Sequence, residues 1–365
     1  MTEATHTKPK HVMMMAAGTG GHVFPALAVA KALQQQGIQV SWLATPTGME
    51  NRLLKNQNIP IYQIDIQGLR GNGVTRKLLA PFKILKATFS AMRYMKQLKI
   101  DAVVGFGGYV AGPGGLAARA LGIPVIIHEQ NAIAGFTNTQ LSRIAKTVCQ
   151  AFPNTFPATG KVVTTGNPVR KEITEILNPS WRYQEREKTA TPLQILIVGG
   201  SLGAQALNER IPEALKQFDV PMQVFHQCGQ NHTEATQLCY ADKPASLHVE
   251  VQSFIEDMAQ AYAKADLIIC RAGALTVTEI ATAGVAAVFV PLPSAVDDHQ
   301  TKNAQFLVNM HAAKICPQNS MTTESLKELL TPLMNRQLLS EMAIKARQHA
   351  QPDATQHVVH LIQAL

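Results

Sequence analysis

Short apolar runs that stop at glycine and give way at once to helix-forming stretches recur along this chain, and they leave few folds open. Residues 11–16 lead through Gly18-Thr19-Gly20-Gly21-His22 into a helical run over 23–36, and residues 195–198 lead through Gly199-Gly200-Ser201-Leu202-Gly203 into another from Ala204. Further strand-like runs lie at 40–44, 102–105, 125–128, 224–227, 267–270 and 287–290, most with glycine close behind. Strands alternating with helices predict α/β architecture with parallel sheets and crossover helices. Ligands of such sheets bind beyond the carboxyl ends of the strands, so these glycines fall where chemistry is expected.

The theme appears twice, and 365 residues exceed what one hydrophobic core usually organises, so two similar domains are predicted. A join is expected near Gly166-Asn167-Pro168-Val169-Arg170, because Pro168 disfavours helix at Asn167 and a polar, weakly patterned stretch follows at 178–192. The five scattered cysteines form no C-x-x-C pair, which argues against a disulfide framework and a zinc site and fits a reducing compartment. The apolar run 12–17 is too short for a signal-peptide core or a membrane span.

A net charge of +8 implies an anionic partner. Between Ile66 and Ile100 there is no acidic residue, whereas Arg70, Arg76, Lys77, Lys83, Lys86, Arg93, Lys96 and Lys99 all fall there, interleaved with Phe82, Leu85, Phe89 and other apolar residues. The segment reads either as a basic amphipathic surface for an anionic bilayer or as a core-packed helix with a solvated basic face.

Four glycine loops and one polar strand end carry the candidate chemistry. Gly18–Gly21 opens a helix in which Pro25 suits an early position, so backbone amides can approach an anion or a sugar at the positive helix end; a tight turn alone would also account for it. The run from Gly105 to Gly115 is denser in glycine than a connector needs. Gly199–Gly203 supplies glycine backbone and the Ser201 hydroxyl, a cradle suited to phosphate oxygens. In Cys270-Arg271-Ala272-Gly273-Ala274-Leu275-Thr276-Val277-Thr278-Glu279 a strand ends and a helix begins that a pyrophosphate could cap; Glu279 is placed either to accept ribose hydroxyls or to stabilise the helix start. His128-Glu129-Gln130-Asn131 ends an apolar strand with polar side chains that need partners or a substrate, and Ala132 rules out H-E-x-x-H. No D-x-D occurs, and Asp297-Asp298 reads as a solvated turn, so no metal and no resident cofactor are expected.

The ordered segments AAGTGGHVFPALAVA from Ala16, GLRG from Gly68, GFGGYVAGPGGLAA from Gly105, HEQNAIAGFTN from His128, GNPVR from Gly166, VGGSLGAQALN from Val198, FIEDMAQAYAKADLIICRAGALTVTEI from Phe254 and PDAT from Pro352 span nearly the whole chain. In them it resembles the family of bacterial transferases that add N-acetylglucosamine to lipid I in peptidoglycan synthesis. The resemblance implies a GT-B fold, two Rossmann-like parallel-sheet domains facing across a cleft. Residues 1–167 with a returning carboxyl-terminal helix 346–365 would bind acceptor and membrane, and 168–345 would bind UDP-N-acetylglucosamine. It further implies Ile255 at the uracil, with Arg170 nearby; Ser201 and the helix start Ala274-Leu275-Thr276-Val277-Thr278 at the diphosphate; Glu279 at the ribose; and Gln300 at the sugar. Thr19, Gly20, Gly21 and Asn131 would complete the donor site, while Tyr109, His128, Arg76, Lys77, Phe82, Lys83 and Lys86 would serve acceptor and membrane. Implied partners are lipid I, an anionic membrane surface on the cytoplasmic face of the inner membrane, and other cell-wall synthesis proteins, with no nucleic acid.

The implied reaction is one inverting displacement, giving a β-linked product from an α-linked donor. By residue type and position His22 and Glu129 are candidates for the base that takes a proton from the muramyl 4-hydroxyl, with His22 favoured; a hydrogen bond to the donor is its other possible role. Backbone amides, helix dipole and Arg271 would stabilise the leaving UDP. Three other classes compete: a nicotinamide oxidoreductase, a GT-B UDP-N-acetylglucosamine epimerase, and a non-enzymatic binder of anionic lipid or nucleic acid.

Overall fold

The computed structural model describes residues 8–66, 74–200 and 202–365, with side chains at 74–79 and 296 left aside. It divides into two compact units, Met1–Arg170 with Gln351–Leu365, and Lys171–Ala350. Unit 1 contains β1 (His11–Ala16), α1 (Gly20–Gln35), β2 (Gln39–Ala44), α2 (Met49–Leu54), β3 (Ile61–Gln63), α3 (Val74–Leu98), β4 (Ala102–Gly107), α4 (Ala111–Ala120), β5 (Val125–Glu129), α5 (Phe136–Leu141), β6 (Thr147–Gln150) and β7 (Val162–Thr164). Unit 2 contains α6 (Lys171–Thr174), α7 (Pro179–Lys188), β8 (Leu193–Val198), α8 (Gln205–Leu215), β9 (Met222–Gln227), α9 (Thr233–Leu238), β10 (Leu247–Gln252), α10 (Met258–Lys264), β11 (Leu267–Cys270), α11 (Ala274–Ala283), β12 (Ala286–Phe289), α12 (His299–Val308), β13 (Ala313–Ile315), α13 (Thr323–Leu330) and α14 (Arg336–Gln348). The final helix α15 (Ala354–Gln363) belongs to unit 1, where Val358, Val359 and Ile362 join the core formed by α1, β1 and β2.

Both sheets are parallel. In unit 1 the strand order is β3-β2-β1-β4-β5-β6-β7, and in unit 2 it is β10-β9-β8-β11-β12-β13. The order reverses between β1 and β4 in the first sheet and between β8 and β11 in the second, which are the places where open α/β sheets leave a crevice beyond their carboxyl ends. The four glycine loops follow these four strands. Strands β1, β4, β5 and β11 are apolar and buried along nearly their whole length, as parallel strands covered on both faces must be.

The first sheet is covered by α1 and α15 on one face and by α3 and α4 on the other, which gives unit 1 two core layers. In unit 2, α8, α13 and α14 bury one face against β8, β9, β11 and β12. Helix α11, which follows β11, is fixed from behind. The buried Arg182 donates to Ala283 O (2.6 Å), Gly284 O (2.7 Å) and Ala263 O (3.1 Å), so a cation occupies the negative end of α11 and satisfies carbonyls that the helix leaves unpaired.

Candidate functional site

None of the four helices that follow the switch-point strands has a side-chain cap, a lack that α5, α12 and α15 share and that several other helices do not. Helices α7, α13 and α14 begin with a side chain accepting from their first turn, supplied by Asn178, Thr322 and Asn335. Helices α1, α4, α8 and α11, which follow the switch-point strands, begin at Thr19, Val110, Ala204 and Gly273 with no side-chain cap and no acidic residue in the first turn. Their leading amides are left for a ligand, and the macrodipole makes that ligand an anion or an electron-rich oxygen.

In unit 1 two of these loops touch. The β1–β4 register shifts between Met15 and Ala16, a bulge that brings Gly107 and Gly108 beside the end of β1. Gly108, at φ +78°, lies so close to the Ala17 carbonyl that no side chain fits. Gly107, at φ +105°, lies under the His22 imidazole, and a Cβ there would stand 3.0 Å from the ring. His22 is therefore seated half-buried in the first turn of α1 with its ring against the β4 loop, beside exposed Thr19, exposed Gly21 and the half-exposed side chain of Tyr109. From beneath, the buried Glu50 carboxylate accepts from Gly18 N (3.3 Å), Thr45 N (2.9 Å) and Thr45 Oγ1 (2.8 Å), which fixes where the loop leaves the strand.

The polar strand end after β5 turns inward. His128 has no exposed surface; it stacks on Phe106 and pairs through Nε2 with Gly166 O (2.9 Å), and burial lowers its pKa to about 4. It is thus neutral, donating from Nε2 and accepting at Nδ1 from Gln130 Nε2 (3.2 Å). Placed among the acceptor and membrane residues by sequence, His128 instead lies inside the sheet edge and can reach a substrate only by shaping the backbone around it. Glu129 is engaged in the same way. Its carboxylate accepts from Asn131 N (3.0 Å), Asn131 Nδ2 (3.2 Å), Gly135 N (3.1 Å) and Asn138 Nδ2 (2.9 Å), which moulds the loop 131–135.

Unit 2 gathers Gly199–Gly203, Ile255 and the start of α11 around the ends of β8, β10 and β11. Ser201 lies outside the described residues, as do the Arg76 and Lys77 side chains. Ile255 is buried, and Glu279, also buried, accepts from Tyr262 Oη (3.1 Å). Arg271 spends its guanidinium on Val290 O (3.0 Å), Pro291 O (3.3 Å) and Gln318 Oε1 (2.6 Å), tying the β11 loop to β12, and burial lowers its pKa. Gln300 accepts from Leu292 N (2.9 Å) at the start of α12, behind the left-handed pair Asp297 and Asp298. Arg170 stands over the Phe24 ring (5.8 Å), within unit 1. Among the described residues no group of three or more His, Cys, Asp or Glu is placed to hold a metal ion.

Sequence reasoning did not single out Glu50 or Gln227, the side chains that hold the two main loops. The signal for Gln227 is a polar residue closing an apolar strand ahead of glycine; Glu50 carries no motif, because its role depends on α2 folding back under the β1 loop.

Residues 12–150 match the glycosyltransferase family 28 N-terminal domain, and residues 194–358 match the glycosyltransferase family 28 C-terminal domain. The chain belongs to glycosyltransferase family 28. It is 79% identical over 365 residues, all of both chains, to the UDP-N-acetylglucosamine--N-acetylmuramyl-(pentapeptide) pyrophosphoryl-undecaprenol N-acetylglucosamine transferase of Acinetobacter baumannii strain AYE. The crystal structure of Acinetobacter baumannii MurG matches with a TM-score of 0.87 at 77% identity, covering 98% of this chain and 100% of that one. A UDP-GlcNAc 2-epimerase from Neisseria meningitidis shares the fold at a TM-score of 0.67 and 15% identity, covering 97% of this chain and 100% of that one. The fold of this family 28 member is GT-B, with two parallel-sheet α/β domains.

Proposed function

We propose that this chain transfers N-acetylglucosamine from UDP-N-acetylglucosamine to the 4-hydroxyl of the muramyl sugar of lipid I, giving lipid II for peptidoglycan synthesis. Identity of 79% over the full length to a transferase of that name carries the reading. The epimerase shares only the fold at 15% identity, so it does not compete.

Unit 2 is the donor half in this reading. The uncapped amides of α8 and α11 would face the diphosphate, the Ile255 backbone the uracil, Glu279 the ribose hydroxyls and Gln300 the sugar, with Ser201 beside the diphosphate. Charge developing on the leaving UDP would meet backbone donors already held in place, which lowers the barrier without reorganisation. Arg271 would act at one remove, because its guanidinium is spent on Val290, Pro291 and Gln318.

Unit 1 would supply the acceptor surface and the base. As the muramyl O4 bonds to the anomeric carbon, the bond from that carbon to the β-phosphate oxygen breaks with its electron pair leaving on UDP, and the O4 proton passes to His22. His22 is preferred to Glu129 because the Glu129 oxygens already accept four hydrogen bonds from its own loop. Thr19, Gly20, Gly21, Asn131 and Tyr109 would orient the sugars around that transfer.

The lipid tail places the acceptor at a membrane, and α3 offers the surface. Ala80, Ala87, Ala91 and Met95 face the core, while Phe82, Leu85 and Phe89 are 72, 54 and 61% exposed and are flanked by exposed Lys83, Lys86 and Arg93. Aromatic and aliphatic groups on a cationic face suit the interface of an anionic leaflet, so peripheral attachment at the cytoplasmic face is proposed. Among the described residues no helix is long and apolar enough to cross a membrane. Labelled transfer from UDP-N-acetylglucosamine to a lipid I analogue, in EDTA, tests the reading. Label should move to the lipid at full rate. No transfer, or epimerised nucleotide sugar without lipid, would refute it.

A further inference from the structure

The most heavily used side-chain amide at the unit 2 site belongs to Gln227, the last residue of β9. It is 3% exposed. Its Oε1 accepts from Gly200 N (3.1 Å), and its Nε2 donates to Gly200 O (2.9 Å) and to Ser253 O (2.9 Å). One neutral group thus grips both polar faces of the Gly200 residue in the β8 loop and, with its second N–H, reaches the loop after β10 that runs through Ser253 to Ile255.

The surroundings explain why that grip matters. Gly200 sits at φ +89° and Gly203 at φ +79°, so this loop is a backbone without packing side chains at its turning points. Gly203 and Gly229 touch backbone to backbone, and a Cβ on either would collide with the other strand end. The Ser253 carbonyl also accepts from Gly229 N (3.2 Å), so the end of β9 holds that oxygen twice and the Gln227 amide is where the three segments meet. A Gln side chain has the donor and acceptor count needed to satisfy Gly200 on both sides and Ser253 together; Glu lacks the two N–H groups and Met has neither donor nor a strong acceptor.

We propose that Gln227 is a positioning residue that couples the diphosphate loop to the uracil loop, so that the spacing between nucleotide base and phosphates is fixed before the donor binds. The proposal rests on the reading of unit 2 as the donor half. Preorganisation of this kind sets donor affinity and leaves the chemistry at the acceptor untouched.

The experiment compares wild type with Gln227→Met, which keeps length and volume, and Gln227→Glu, which keeps the acceptor and loses both donors. Steady-state transfer with varied donor and varied lipid I analogue is measured beside UDP binding by calorimetry and thermal unfolding. The donor KM and the UDP Kd should rise about tenfold or more in both variants, as expected for losing two to three buried hydrogen bonds, with the acceptor KM and kcat at saturating donor within about threefold of wild type. A folded variant with wild-type donor KM and UDP Kd would overturn the coupling while leaving the donor reading intact. Wild-type protein that fails to bind UDP would overturn both. If neither variant gives a cooperative unfolding transition, or if kcat and both KM values shift together, Gln227 is a stability residue and the proposal fails.

Discussion

The two glycine loops that open α1 and α8 share a plan and differ in what holds them. Under the first, the Glu50 carboxylate accepts from the Gly18 amide, which uses a backbone donor and sets negative charge beneath the loop. Under the second, the neutral Gln227 amide holds Gly200 and adds no charge. The first loop carries a titratable ring, His22, pressed on Gly107; the second, as far as it is described, carries only backbone and Leu202 above its turn. The duplicated strand-loop-helix unit thus rests on a carboxylate in unit 1 and on a neutral amide in unit 2, which makes the second loop the more receptive to an anion. That contrast supports chemistry in unit 1 and diphosphate binding in unit 2.

Removing the ring tests the contrast most severely. His22→Ala should lower kcat by about 10²–10⁴-fold, the range for losing a general base, with the donor KM within about threefold. A change confined to donor KM would move His22 into the donor site and erase the difference between the loops.

Acid stability sharpens it next, since among the described residues each unit buries one neutral histidine. His128 in unit 1 and His226 in unit 2, the latter between Tyr240 Oη (3.0 Å) and Asn208 Oδ1 (3.1 Å), are both lowered by burial to about 4. Their folded pKa lies below the unfolded value of 6.5, so the unfolded chain takes up protons first as pH falls. The contribution is whole above the unfolded value and is lost between there and about 4. Denaturant unfolding should show a loss of about 3 kcal/mol for each histidine across that window. A flat profile would mean that these side chains are not held neutral.

Glu279→Ala should raise the donor KM about 10- to 100-fold with a smaller change in kcat, the mirror of His22, because the proposed donor site would lose its buried acceptor for the ribose hydroxyls. Equal losses in both parameters would place Glu279 in the chemistry. Gly107→Ala should lower kcat about tenfold, since the added methyl crowds the His22 ring and an L-residue is strained at φ +105°. Unchanged turnover would show that the seat of the ring does not matter. The smallest effect is expected on α3, where Phe82→Ser with Phe89→Ser should weaken sedimentation with vesicles containing anionic lipid several-fold and leave UDP binding unchanged.

Much of this was legible in the sequence because apolar strands ending in glycine announce both element and site. Strands β1, β4, β8, β9 and β11 carry that mark, while β5 and β12 are apolar runs without glycine at their ends. The short strands β3, β6, β7 and β13 and the alternating edge strand β10 lack it, since three or four residues, or half-exposed alternation, give little signal of their own. Residue type placed His22, Glu129 and Glu279 near ligand-facing strand ends, yet type does not reveal occupancy. The carboxylate of Glu129 is committed to the residues just after it, and the guanidinium of Arg271 and the imidazole of His128 to segments that sequence order keeps apart.

The division between the loops is tested most directly by hydrogen exchange of the full chain with and without UDP. The account predicts slowed exchange over 199–204, 253–257 and 273–279, with 18–22 nearly unchanged. Protection of 18–22 equal to or greater than that of 273–279 would contradict it.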